Sequence, residues 1–184
     1  MKILTVEKIK KKLNNQEYDF LRTNEHLGEN IILLGLGGSY SYGTNIESSD
    51  VDCRGVALNS KKEILFGNGF EQVENKETDT VIYSFTKIVS LLSNCNPNVI
   101  EMMGLKPEHY LYISPIGKEL LENKKMFLSK KAVNSFGGYA NSQLQRLDNK
   151  AVRLVGQEQR EKHILNSINI IGITELNIYS LPIY

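Results

Sequence analysis

The sequence predicts an α+β fold: a small mixed sheet flanked by helices, with a helical C-terminal part. Three observations carry this. The run NIILLGLGG from Asn30 is continuously apolar and ended by glycines, the pattern of a strand buried on both faces. The stretch SSDVDCRGVAL alternates polar and apolar residues from Asp50 to Val56, and only a loop separates it from the first strand. A loop rather than a long helix favours antiparallel or mixed neighbours, because a parallel crossover usually runs through a helix. Beyond residue 98 helical patterns dominate.

Taken in order, Ile3, Val6, Ile9 and Leu13 recur at helical spacing with lysines between them, and Tyr18, Leu21 and Leu27 mark a second short helix. The basic run Lys10 to Lys12 reads as a solvated helix face. DTVIYSF, residues 79 to 85, is β-branched and aromatic and predicts a third strand. It leads into TKIVSLLSN, an apolar-striped helix stopped by Asn94, Asn96 and Pro97. Further helices are expected over NVIEMMG, PIGKELLENK, SKKAVNSFGGYANSQLQRL and EQREKHILNSINII, with Ser114 and Ser129 as N-caps. The segment ITELNIYSLPIY, residues 173–184, has strand character and no assigned place. The organisation expected is a core over residues 1–110 and a helical region over 111–184.

With 184 residues, 41% of them hydrophobic, the chain can bury a sizeable core. Its formal charge of +1 excludes a general electrostatic commitment to nucleic acid or a membrane surface. Cys53 and Cys95 form no C-x-x-C and accompany three histidines without a motif, so neither a disulfide framework nor a zinc site is expected. MKILTVEKIKKKLNN has no apolar signal region, and IILLGLGG is far too short to span a bilayer. A cytoplasmic protein without membrane attachment is the expectation.

The chemistry concentrates in GLGGSYSYGTNIESSDVDCRG, residues 35 to 55. It is not a dinucleotide fingerprint, since Tyr40 stands where the last glycine of G-x-G-x-x-G belongs. Nor is it a P-loop: Gly38 and Gly43 have the spacing, but Thr44 and Asn45 replace the lysine and the hydroxyl. What remains is a carboxylate pair. Residues two apart on a strand share a face, so Asp50 and Asp52 are expected on the loop side, with Val51 and Cys53 toward the core. Hard oxygen donors of this kind suit Mg²⁺ or Mn²⁺ together with phosphate oxygens. Gly37 and Gly38 let backbone N–H groups approach phosphate, and Ser39 adds a hydroxyl. A G-G-S turn or a solvated D-x-D pair is a commonplace of surface loops; it is their order after a buried strand that favours function.

These residues resemble the signature of the DNA polymerase β-like nucleotidyltransferase superfamily: Gly38-Ser39, ten intervening residues, then Asp50-Val51-Asp52. The longer pattern is Tyr42-Gly43, Ser49 before the first aspartate, and Arg54-Gly55 after the second. Together with VIYSFTKIVSLLSNCNPNVIEMM, YISPIGKELLENKKMFLSKKA and FGGYANSQLQRL, it is similar to the branch associated with RNA repair in bacteria and phages. Tyr40 and Ser41 depart from it, standing where an arginine and an alanine are expected.

The resemblance implies a nucleotidyltransferase-like sheet and transfer of a nucleoside monophosphate from an NTP to an acceptor hydroxyl, with divalent metal and release of pyrophosphate. It implies metal-binding and catalytic roles for Asp50 and Asp52 and a third carboxylate, for which Asp79, opening the DTVIYSF strand, is chosen over Glu74, Glu77 and Glu101. Gly37, Gly38, Ser39 and Arg54 are the expected nucleotide contacts; an ion pair with Asp50 or Asp52 is an equal reading of Arg54. The acceptor is RNA such as tRNA, a protein (AMPylation) or a small molecule, and a non-catalytic nucleotide-binding module is the alternative to an enzyme. Between Lys118 and Lys162 ten Lys and Arg stand against five Asp and Glu, a local basic bias that suits an RNA backbone as well as a solvated helical surface. Tyr139, Gln143 and Arg146 share one helical face, which reads as packing or as part of the cleft.

Overall fold

The computed structural model describes residues 5–152 and residue 162. Two compact units divide the chain, Met1–Phe136 and Gly137–Tyr184. The first holds a five-stranded mixed sheet. The described part of the second is helical, continuing α8 (Lys131–Val152). The helix expected over EQREKHILNSINII and the strand-like residues 173–184 fall outside the described residues, except for Lys162, which is helical.

The N-terminal helical patterns fold as α1 (Val6–Lys12) and α2 (Phe20–Thr23), with short 3-10 turns at Gln16–Tyr18 and Gly28–Asn30. Tyr18 and Leu21 therefore lie on consecutive short elements rather than on one helix. NIILLGL forms β1 (Ile31–Leu36), buried at every position as its unbroken apolar run requires. A five-residue helix, α3 (Gly38–Tyr42), then leads through a loop to β2 (Cys53–Ala57).

β2 lies antiparallel to β1, with Leu36 opposite Cys53. After β2 come α4 (Lys61–Phe66), fixed by a Ser60/Glu63 capping box, then β3 (Gln72–Asn75) and β4 (Thr80–Ser84). β4 runs parallel to β2 with Cys53 opposite Thr80, which makes the sheet mixed. The spatial order is β3-β4-β2-β1-β5. The edge strand β5 (Tyr110–Ile113) pairs antiparallel with β1.

Two expectations about the sheet change. β3 and β5 were not predicted: QVEN offers no apolar alternation, and YLYI stands alone within a helical context. The strand expected from Asp50 begins only at Cys53, because Asp50 to Asp52 are held as a loop whose Asp52 carbonyl accepts from the Gly37 N–H at 2.8 Å.

The helices cap as their sequences dictate. Ser84 accepts from the Lys87 N–H at 3.1 Å to start α5 (Phe85–Ser93). Asn96, a helix stop by sequence, is also the N-cap of α6 (Pro97–Met103). Ser114 caps α7 (Pro115–Glu122) through the Gly117 N–H at 3.1 Å. Ser129 does not cap α8, which begins two residues later; its hydroxyl meets the Cys95 thiol instead.

Apolar layers cover both faces of the sheet. Ile9, Tyr18, Leu21 and Tyr40 pack with Leu34, Leu36, Val51 and Cys53 on one side. Ile88, Leu92, Val99, Met102 and Leu120 pack with Leu33 and Val56 on the other. Each such aliphatic side chain contributes about 1.5–3 kcal/mol by leaving water. This burial holds rigid the ends of β2 and β4, where the polar residues gather. No helix among the described residues is long and apolar enough to cross a membrane.

Candidate active site

Parallel pairing decides which carboxylates meet. With Cys53 opposite Thr80, the residues one step earlier, Asp52 and Asp79, stand at the same ends of neighbouring strands. The Cys53 N–H donates to the Asp79 carbonyl at 3.2 Å, and the two carboxyl groups are hydrogen-bonded to each other. Val51 and Cys53 face the core while Asp50 is exposed and Asp52 half-buried, so the alternation expected from the sequence is observed although the strand starts later.

A turn prepares Asp79. Asn75 Oδ1 accepts from the N–H groups of Glu77 at 3.0 Å and Thr78 at 3.1 Å, and the Thr78 and Thr80 hydroxyls bond at 3.0 Å. The chain then passes through Asp79 with φ +40°, a left-handed conformation that aspartate tolerates better than most residues. Arg54, one step beyond Cys53, turns its guanidinium onto Asp79: Nη2 donates to Oδ1 at 3.0 Å, and Nη1 donates to the Asp79 carbonyl and, at 2.9 Å, to that of Cys53. Arg54 thus forms an ion pair, but with Asp79 rather than with Asp50 or Asp52 as expected.

Asp52 nests against the glycines. Gly38 has φ +53°, and a Cβ there would overlap the Asp52 carboxylate; a Cβ on Gly37 would lie 3.3 Å from Arg54 Cγ and 3.4 Å from Asp52 Cβ. The glycines of the motif thus let a carboxylate lie against the start of α3. Burial, followed by the hydrogen bond and charge of Asp79, pushes the Asp52 carboxyl up to about 6. The hydrogen bond from Asp52, with Arg54 beside it, holds Asp79 below the ordinary carboxylate range. Of the two, Asp52 is therefore the carboxyl that takes up a proton first as pH falls.

Beside the pair lies a cleft of about 550 Å³, whose walls include Asp50 and Asp79, Tyr18 and Tyr40, and Lys12 and Lys76. Lys12, Tyr18, Tyr40 and Lys76 were not among the site residues expected from the sequence. Lys12 belongs to the run read as a solvated face, but it is half-buried, 3.3 Å from Glu17 and with its ammonium 5.9 Å from the centre of the Tyr18 ring. Tyr40, which stands where an arginine was expected, is buried in the core beneath the cleft. Glu101, set aside as structural, accepts a hydrogen bond from the Tyr42 hydroxyl and so ties α3 to α6. Cys53 is fully buried and its thiol is pushed up to about 12 by that burial, which suits a core residue.

Among the described residues no three His, Cys, Asp or Glu side chains are gathered closely enough to hold an ion: Asp52 and Asp79 meet, and Asp50 lies along the cleft. Hard oxygen donors meeting at one point nevertheless fit a divalent cation, which relieves their mutual repulsion.

A mixed sheet of this class, with the G-S and D-x-D elements around its second strand, is the setting of the DNA polymerase β-like nucleotidyltransferases. The chain belongs, within that superfamily, to the RNA repair pathway DNA polymerase beta family, whose family model matches residues 7–166. No curated protein and no solved structure matches it.

Proposed function

We propose that the protein is a metal-dependent nucleotidyltransferase that moves a nucleoside monophosphate from an NTP to an acceptor hydroxyl, with RNA as the acceptor. The observation that carries this reading is the meeting of Asp52 and Asp79 at the ends of two parallel strands, against Gly38. Asp50, Asp52 and Asp79 are the proposed metal ligands and catalytic carboxylates. Gly38 and Ser39 offer backbone N–H and hydroxyl groups to the triphosphate, whereas the N–H of Gly37, also expected as a contact, is taken by the Asp52 carbonyl.

Mg²⁺ or Mn²⁺, when bound, neutralises charge on the phosphates. The chain's own part is positioning. Asp79 is poised to accept the proton of the acceptor hydroxyl as its oxygen bonds to the α-phosphorus and the bond to pyrophosphate breaks. The cleft beside Asp50 and Asp79 has cationic walls in Lys12 and Lys76, suited to meeting a phosphate. RNA is favoured over a protein or small-molecule acceptor by the family and by the basic bias between Lys118 and Lys162.

The full chain incubated with each of four α-labelled NTPs, Mg²⁺ and either tRNA or single-stranded RNA should label the RNA and release pyrophosphate, and EDTA should stop both. Labelling of the protein itself, with RNA unlabelled, would move the acceptor to protein. Neither label nor pyrophosphate with any NTP would favour a non-catalytic nucleotide-binding module.

The pH dependence follows from Asp52. Its folded value of about 6 lies above the ordinary 3.8, so the metal-free protein still holds the proton at mildly acidic pH. A cation must displace that proton, and Mg²⁺-dependent nucleotide binding should weaken progressively below about pH 6. Calorimetric titration at pH 5, 6, 7 and 8 measures it; the same affinity at pH 5 and pH 8 would remove Asp52 from the metal.

A further inference from the structure

We infer that Arg54 is a positioning residue, which holds the Asp79 carboxylate and backbone in place for the divalent cation. This rests on the reading above that Asp79 is a metal ligand, and it departs from the role of phosphate contact expected for Arg54.

Asp79 is hard to hold by ordinary means. It has φ +40° at the end of a turn, and its side chain is 56% exposed. Arg54 supplies a fixed frame. Its stem lies along Gly37, and its guanidinium engages the Asp79 carboxylate, the Asp79 carbonyl and the Cys53 carbonyl together. Only a planar fork reaches several acceptors at once; a lysine ammonium is a point charge on a flexible stem. A half-exposed ion pair adds little stability, commonly about 0–1 kcal/mol. The consequence of this arrangement is therefore orientation: it fixes both the side-chain and main-chain oxygens of one residue where β2 and β4 begin.

Electrostatics and positioning predict opposite signs. A fixed cation beside carboxylates repels a metal ion, so on charge alone its removal raises metal affinity. If Arg54 positions Asp79, its removal lowers it, on the scale of about 10-fold or more seen when the partners of metal ligands are lost.

The test is Mn²⁺ binding, followed by electron paramagnetic resonance on the full chain as wild type, Arg54→Gln, Arg54→Lys, Asp79→Asn and the double variant Arg54→Gln/Asp79→Asn. Thermal melts establish that each folds, and Arg54→Lys, with its stem and charge kept, serves if the glutamine variant does not. Arg54→Gln should bind Mn²⁺ about 10-fold more weakly, Arg54→Lys should not restore it, and Arg54→Gln should add little on Asp79→Asn. In turnover at Mn²⁺ concentrations that saturate wild type and variant alike, kcat should fall with the KM for NTP nearly unchanged.

Unchanged or tighter Mn²⁺ binding in Arg54→Gln overturns the inference. So does an undiminished effect in the Asp79→Asn background, or a raised KM with kcat kept, which would make Arg54 a phosphate contact. A wild type that binds no Mn²⁺ overturns the metal reading itself, a result distinct from all of these.

Discussion

Asp52→Asn should lower nucleotidyl transfer by about 10²–10³-fold while leaving the metal-free protein at least as stable at pH 7. The two halves have one cause. Asp52 is half-buried, bonded to Asp79 and seated against Gly38, so its negative charge is costly unless a cation is present. Its folded value of about 6 exceeds the ordinary 3.8. The stability it contributes is therefore complete below the unfolded value, and it is lost as pH rises through the folded one. Above pH 6 the ionised carboxylate opposes folding, and the isosteric asparagine removes that opposition. It also removes a proposed metal ligand, whose part in neutralising phosphate charge is of the order of several kcal/mol, about tenfold in rate for each 1.36 kcal/mol. Melting curves from pH 4 to pH 8, beside single-turnover assays, check both halves. The difference in Tm between variant and wild type should shift toward the variant as pH rises. A variant less stable than wild type at pH 7, or one with normal turnover, would contradict this account.

What was legible in the sequence, and what was not, divides along physical lines. β1 could be read because burial on both faces demands six apolar or glycine residues in a row. Asp79 could be chosen because it opens a strongly β-branched strand, and the parallel register then placed it beside Asp52. The edge strands β3 and β5 were missed because an edge is only partly buried: Gln72 and Glu74 face solvent, and Tyr112 and Ile113 are exposed. The late start of β2 was missed because it depends on a long-range contact, the Gly37 N–H taking the Asp52 carbonyl, which no local pattern announces. Lys12 was read by its neighbours in the run; Lys10 and Lys11 are exposed, as a solvated face would be, and the turn at Gln16–Tyr18 brings Tyr18 and Glu17 to Lys12 alone. Arg54 could be placed on the aspartate side, but which oxygens its fork takes is set by the β2–β4 pairing.

Gly38→Ala and Gly43→Ala form a matched pair that should share a stability cost and differ in activity. Both glycines bracket α3 with left-handed backbones, φ +53° at Gly38 and +69° at Gly43. An alanine in that region costs about 1–2 kcal/mol, so each variant should melt several degrees lower. The surroundings differ. Nothing lies within 4 Å of a Cβ added at Gly43, whereas at Gly38 it would overlap the Asp52 carboxylate. That carboxylate cannot withdraw freely: its own carbonyl is tied to Gly37, its oxygen is bonded to Asp79, and Val51 and Cys53 on either side are buried. Gly38→Ala should therefore displace Asp52 and lose turnover by about 10²-fold, approaching Asp52→Asn, because misplacement by about 1 Å is enough for a loss of that size. Gly43→Ala should keep turnover near wild type once its lower Tm is allowed for. Equal activity in the two variants would show that the contact between Gly38 and Asp52 does not govern the site, and equal loss would assign the effect to α3 as a whole.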